Sequence, residues 1–156
     1  MSRAAALLGL VLVGAGCADR SPEAVLDALL PEGRHTESLA ALADRAPLGP
    51  DQDFRAVEIG RDPGASQHVV SIRSAETPHR HDRHDLLVVM LRGHGTMRLG
   101  DERRVVGEGS ILWIPRGTPH AFANASAEPA VAYAAYVPPF DGRDRVPVAD
   151  GAPPSD

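Results

Sequence analysis

Gly109-Ser-Ile-Leu-Trp-Ile-Pro115-Arg-Gly117-Thr-Pro-His120-Ala-Phe-Ala-Asn124 is the stretch whose reading decides the fold. Behind a leading glycine, Ile111 to Ile114 has the β-branched and aromatic make-up of a short strand. Pro115 and Gly117 then shape a turn, with Gly117 expected at positive φ. The turn delivers His120 to the start of the next strand, predicted over Ala121 to Ala123, and Asn124 ends that strand with local hydrogen bonds.

A second histidine group lies upstream, His79-Arg-His81-Asp-Arg-His84-Asp85. Residues i and i+2 of a strand project to one face, so His79 and His81 can approach a common point from one wall. His120, far away in the chain, supplies a third imidazole from a neighbouring strand. Neutral imidazole is a borderline ligand and suits Fe, Mn, Ni, Cu or Zn as the divalent ion. His35, His68 and His94 read as solvated turn residues, with His94 between two glycines at a hairpin tip.

Between and around these groups the hydrophobic period is two. Val57 and Ile59 alternate after Phe54; Val69, Val70 and Ile72 lie within Gln67 to Ser74. Leu86 to Leu91 is a continuous apolar run, as expected of a strand buried on both faces. Met97 and Leu99, then Val105 and Val106, flank the Gly100-Asp101 turn, and Val131 to Val137 forms the last run. With 15 glycines and 14 prolines between short apolar segments, the pattern predicts an all-β antiparallel sandwich or closed barrel of about eight strands. Trp113, Phe122, Tyr133 and Tyr136 read as core or barrel-lining. Val88, Met90, Leu112 and Phe122 make an apolar wall that favours a small organic molecule over a phosphorylated sugar. Arg73 and Arg92 read as solvated.

These residues resemble the cupin superfamily, in particular its small single-domain members. The second cupin motif is met in full by Gly109, Pro115, Gly117, His120 and Asn124. The first is met by His79, His81 and Gly93, but its leading glycine and its glutamate are missing. The resemblance runs from Phe54 to Pro138. It implies a double-stranded β-helix, or jelly roll, holding one divalent transition metal through His79, His81 and His120. The acidic slot of the first motif falls on Asp85 in one register and on Leu86 in the other. Leu86 shares a face with His84, so His84 and Asp85 are alternative fourth ligands; an open position is a third possibility, and Asp85 can instead orient a ligand histidine from outside the sphere. Cupins of this size include oxygenases, isomerases, lyases and non-catalytic binders, and many pair into homodimers through edge strands. An oxygenase is the activity most natural to an imidazole-rich site with open positions. The alternatives are a non-catalytic small-molecule or metal-binding protein of the envelope, and a metal-free barrel. No residue stands out as a general base.

Outside the barrel, residues 1–16 read as a signal peptide: Arg3, an apolar run from Ala4 to Val13, then small residues. Gly14-Ala15-Gly16-Cys17 resembles a lipobox, which implies lipidation of Cys17 and a lipoprotein facing the periplasm or cell exterior. The alternative is an ordinary secretory signal cleaved near Ala15 or Gly16. Residues 17–53 are expected to form a short helical spacer, with one helix capped at Ser21 and ended by Pro31 and Gly33, and another capped at Thr36 and running to Arg45. The Pro/Asp/Gly-rich segment after Pro138 is expected to drape over the barrel and then fray, with residues 141–156 a flexible tail. A single cysteine excludes an internal disulfide. The net charge of -5 is mild and unclustered, so the sequence shows no nucleic-acid surface, and the only membrane contact expected is the lipid anchor.

Overall fold

Two antiparallel five-stranded sheets face each other, and the alternation of burial along each strand says which side chains meet between them. A computed structural model describes residues 23–149. In chain order it contains β1 (Val25–Leu30), β2 (Gly33–Ser38), α1 (Leu39–Leu42), β3 (Phe54–Arg61), β4 (Ser66–Ile72), β5 (His79–Arg80), β6 (Asp85–Arg92), β7 (His94–Leu99), β8 (Glu102–Gly107), β9 (Ile111–Ile114), β10 (His120–Asn124), β11 (Ala130–Val137) and β12 (Val146–Pro147). One sheet has the order β3-β4-β11-β6-β9 and the other β12-β5-β10-β7-β8, while β1 and β2 form a separate hairpin. This is the expected jelly-roll barrel.

In the first sheet Val70, Ile72, Leu86, Val88, Met90, Ala132 and Ala134 point inward and meet Met97 and Phe122 of the second. Their chain neighbours Val69, Leu91 and Val131 point outward, where Leu42, Ala43 and Ala46 cover them. The central strands are therefore buried on both faces, which is why Leu86 to Leu91 is apolar without a break. Each large aliphatic side chain fully removed from water contributes about 1.5–3 kcal/mol. Gly95 of β7 is required by close approach: a Cβ there would lie 2.2 Å from the Ala123 carbonyl oxygen and 2.6 Å from the Phe122 ring.

The spacer differs from its expected form. Val25 to Leu30 is a strand, paired with β2 from Val25↔Ser38 to Leu30↔Gly33 across the two-residue turn Pro31-Glu32. Leu26 and Leu30 turn toward the barrel while Val25, Asp27 and Leu29 stay exposed, a period of two that the helical stripe had concealed. Arg34 and Thr36 both bond the Asp27 carboxylate across the hairpin. Thr36 is therefore a strand residue, and it is Ser38 whose Oγ accepts the Ala41 N–H at 3.2 Å, starting a single helical turn. The described part of the expected tail, residues 141–149, is held against the barrel: β12 pairs with β5, and Asp144 is only 3% exposed. The segment before β12 lies across one end of the barrel as a strap. The leader, the lipobox and Cys17 lie outside the described residues. Among the described residues no helix is long and apolar enough to cross a membrane.

Candidate metal centre

Three imidazoles converge at one end of the barrel. His79 lies in β5, His81 just after it, and His120 opens β10, directly across the ladder from His79. The turn that delivers His120 has Gly117 at φ 78°, and the Gly117 N–H donates to the His81 carbonyl at 2.7 Å. The two motifs are thus bonded to one another. His79, His81 and His120 each offer a ring nitrogen, and these atoms all lie within 4.8 Å of one another. Ring centroids are 4.3 Å apart for His79 and His120, 5.2 Å for His79 and His81, and 5.3 Å for His81 and His120.

Each ring is locked by a backbone carbonyl. His79 Nδ1 donates to the Thr77 carbonyl and His120 Nδ1 to the Thr118 carbonyl, both at 2.9 Å. His81 Nδ1 donates to the carbonyl of Asp144. A carbonyl can only accept, so Nδ1 carries the proton in all three rings and Nε2 is left with its lone pair. His81 Nε2 is buried with no hydrogen-bond partner among the described residues. An orphaned buried acceptor is costly, and a cation shared by the three lone pairs would satisfy it. Burial, then the field of His120, pushes the His79 pKa down to about 3. Burial likewise pushes His120 down to about 4, and it lowers His81. All three are neutral near pH 7, the ligating form. The residues fit a divalent transition metal.

The fourth-ligand candidates sit elsewhere. Asp85 faces away from the trio, accepting the Arg116 N–H at 2.9 Å and its guanidinium at 2.7 and 3.2 Å. The same arginine holds its carboxyl below the usual range. His84 is buried, but its Nδ1 bonds Asp144 Oδ2 at 2.5 Å, and its ring stands 6.4 Å from that of His81. Neither joins the converging group. No carboxylate orients a ligand histidine in the way considered for Asp85: the Asp144 carboxylate bonds His84, and it is the Asp144 backbone carbonyl that holds His81. The carboxylate's other contacts are the N–H groups of Asp82 and Arg83, at 3.0 and 2.8 Å. Burial pushes the Asp144 carboxyl up, but His84 and these N–H groups outweigh it and hold the group low.

The imidazoles look into a cavity of about 380 Å³ whose lining includes Val88, Met90, Phe122, Tyr136, Glu76 and Arg145. Leu112, expected on this wall, is packed in the core and does not line the cavity. Trp113, expected inside, is 54% exposed on edge strand β9. His68 is not a solvated turn residue: it is buried in β4, lines the cavity, and shares a hydrogen bond with Ser66 Oγ at 2.9 Å. Arg92 bonds Asp44, and Arg73 bonds the Gln52 and Gly49 carbonyls, so neither enters the cavity. Glu76 had no role in the sequence reading. Its carboxyl is pushed up by burial, against the opposing effect of Arg145.

Residues 68–136 match the family model of the cupin domain. An uncharacterized protein of Aquifex aeolicus is 35% identical over 100 residues, covering 64% of this chain and 82% of its own. The chain belongs to the cupin superfamily. Among solved structures it is similar to TT1209 from Thermus thermophilus, with TM-score 0.58, 23% identity, and coverage of 67% of this chain and 97% of that one. It is also similar to a Streptomyces PAC13 variant bound to uridine, with TM-score 0.56, 16% identity, and coverage of 69% and 88%; Pac13 is described as a nucleoside dehydratase. These two likenesses show a shared cupin fold.

Proposed function

We propose that this cupin is an exported lipoprotein, anchored through Cys17 at the periplasmic or outer face of a membrane, and that it binds one divalent transition metal through His79, His81 and His120. The observation that carries the metal reading is the buried, unpartnered Nε2 of His81 facing two other lone pairs. With three protein ligands on one side, the cavity side is left for a small organic ligand, and an oxygenase is the activity that this donor set suits best. A metal held by neutral imidazoles supplies Lewis acidity and, for Fe or Mn, redox chemistry toward O2. The protein's own contribution is positional. Carbonyls fix the three rings, and the apolar wall of Val88, Met90 and Phe122 excludes water. Glu76 is the largely buried carboxyl at the cavity wall, 12% exposed, that is available to carry a proton.

Elemental analysis of the full chain tests the metal reading: one equivalent of Fe, Mn, Ni, Cu or Zn is expected, lost on chelation and absent in His79→Ala and His120→Ala. O2 consumption on a panel of phenols, thiols and small acids tests the oxygenase. Tight metal with no turnover would make the protein a binder. Labelling with a radioactive fatty acid tests the anchor, and the label should vanish in Cys17→Ser.

A further inference from the structure

Among the described residues Arg145 is the single arginine lining this cavity, whose walls are otherwise mostly apolar. The fold holds it there from both sides in sequence. Asp144 is buried, with its carboxylate tied to the N–H groups of Asp82 and Arg83 and to His84. Val146 and Pro147 then pair with β5. The chain between these anchors has little freedom, and the Arg145 side chain lines the mouth of the cavity, 40% exposed. It lies over the Phe54 ring at 5.5 Å and meets Glu76 Oε1 through Nη2 alone, at 3.4 Å. That is one long contact, not the bidentate fork an arginine can make with a carboxylate. The remaining N–H directions are available to a ligand.

Charge points the same way. Asp85 is taken by Arg116, so three neutral imidazoles hold the ion and nothing in the ligand set offsets its charge. Glu58, the other acid on the wall, is spent on Arg61. A divalent ion and Arg145 together outweigh Glu76 whether that group is ionised or not. Resting on the metal-binding reading above, we propose that the ligand of this cavity is a small organic acid whose carboxylate is received by Arg145 while its apolar body lies against Val88, Met90 and Phe122.

Calorimetric titration of the Zn(II)-loaded full chain with phenylacetate and hexanoate, and with phenylacetamide and hexanamide as neutral matches, tests this. A carboxylate on this guanidinium at the cavity mouth, partly screened by solvent, should bind about tenfold tighter than its amide. Arg145→Gln should abolish that preference, Arg145→Lys should restore part of it, and both variants should keep one equivalent of metal. Equal affinity for acid and amide, an acid preference that survives in Arg145→Gln, or no binding from either series would overturn the proposal. The same titration of chelator-treated protein separates the two readings. An acid preference that persists in a chain unable to take up metal would sink the metal centre and leave the carboxylate site standing.

Discussion

Taking metal-free protein from pH 7.5 to pH 5 is expected to remove about 4 kcal/mol of folding stability, from His79 and His120 alone. In the unfolded chain both rings titrate near 6.5, whereas in the fold burial holds them at about 3 and about 4. The folded values are depressed, so the unfolded state binds protons that the native state refuses. Stability is complete above pH 6.5 and declines as pH falls toward the folded values, by about 1.4 kcal/mol per unit for each ring. The held-down carboxylates Asp85 and Asp144 lose their contribution only near and below their ordinary range, so they leave this window clear. Glu76, with its carboxyl pushed up, works in the opposite direction and blunts the slope. Urea denaturation of chelator-treated protein at pH 7.5, 6.5, 5.5 and 5.0 measures the loss. A double variant, His79→Gln with His120→Gln, should make the profile shallower, leaving the part contributed by the other depressed imidazoles, His81 and His68. A wild-type profile flat across the range would refute the burial of neutral imidazoles on which the metal centre depends.

Three further outcomes follow from the contacts. Asp144→Ala frees the segment whose carbonyl orients His81, and metal affinity read by competition with a chelator should fall about 10- to 100-fold. Asp85→Asn should leave metal stoichiometry at one by elemental analysis, since Arg116 and not the ion holds that carboxylate. Leu42, fully buried beneath the outer face of the first sheet, should cost about 2–5 kcal/mol on Leu42→Ala, seen as a lower urea midpoint.

Much of this was readable from the chain, because the barrel and two of its motifs are local. Gly109, Pro115, Gly117 and His120 encode a strand, a turn and a ring in sixteen consecutive positions, and His79 and His81 share a face by strand parity. Parity also carried the signal for His68, which lies within the Gln67 to Ser74 run, two residues before Val70 and four before Ile72 on the inward face of β4. The N-terminal hairpin was obscured because Val25, Leu26, Leu29 and Leu30 satisfy a helical stripe as well. Docking on the outer sheet decided between the two, and that lies beyond the segment itself. Asp144 and Arg145 were illegible for a stronger reason. Their roles depend on partners about 60 residues upstream, and they themselves lie in a Pro- and Asp-rich segment with no periodicity of its own.

The three rings are not held alike. His79 and His120 are each clasped by a carbonyl two residues back, so their aim survives any loosening elsewhere, while His81 takes its aim from a residue 63 positions away. Two walls of the site are therefore fixed and the third works as a latch. Loosening of the strap is therefore expected to disturb His81 before the two rings that are clasped locally.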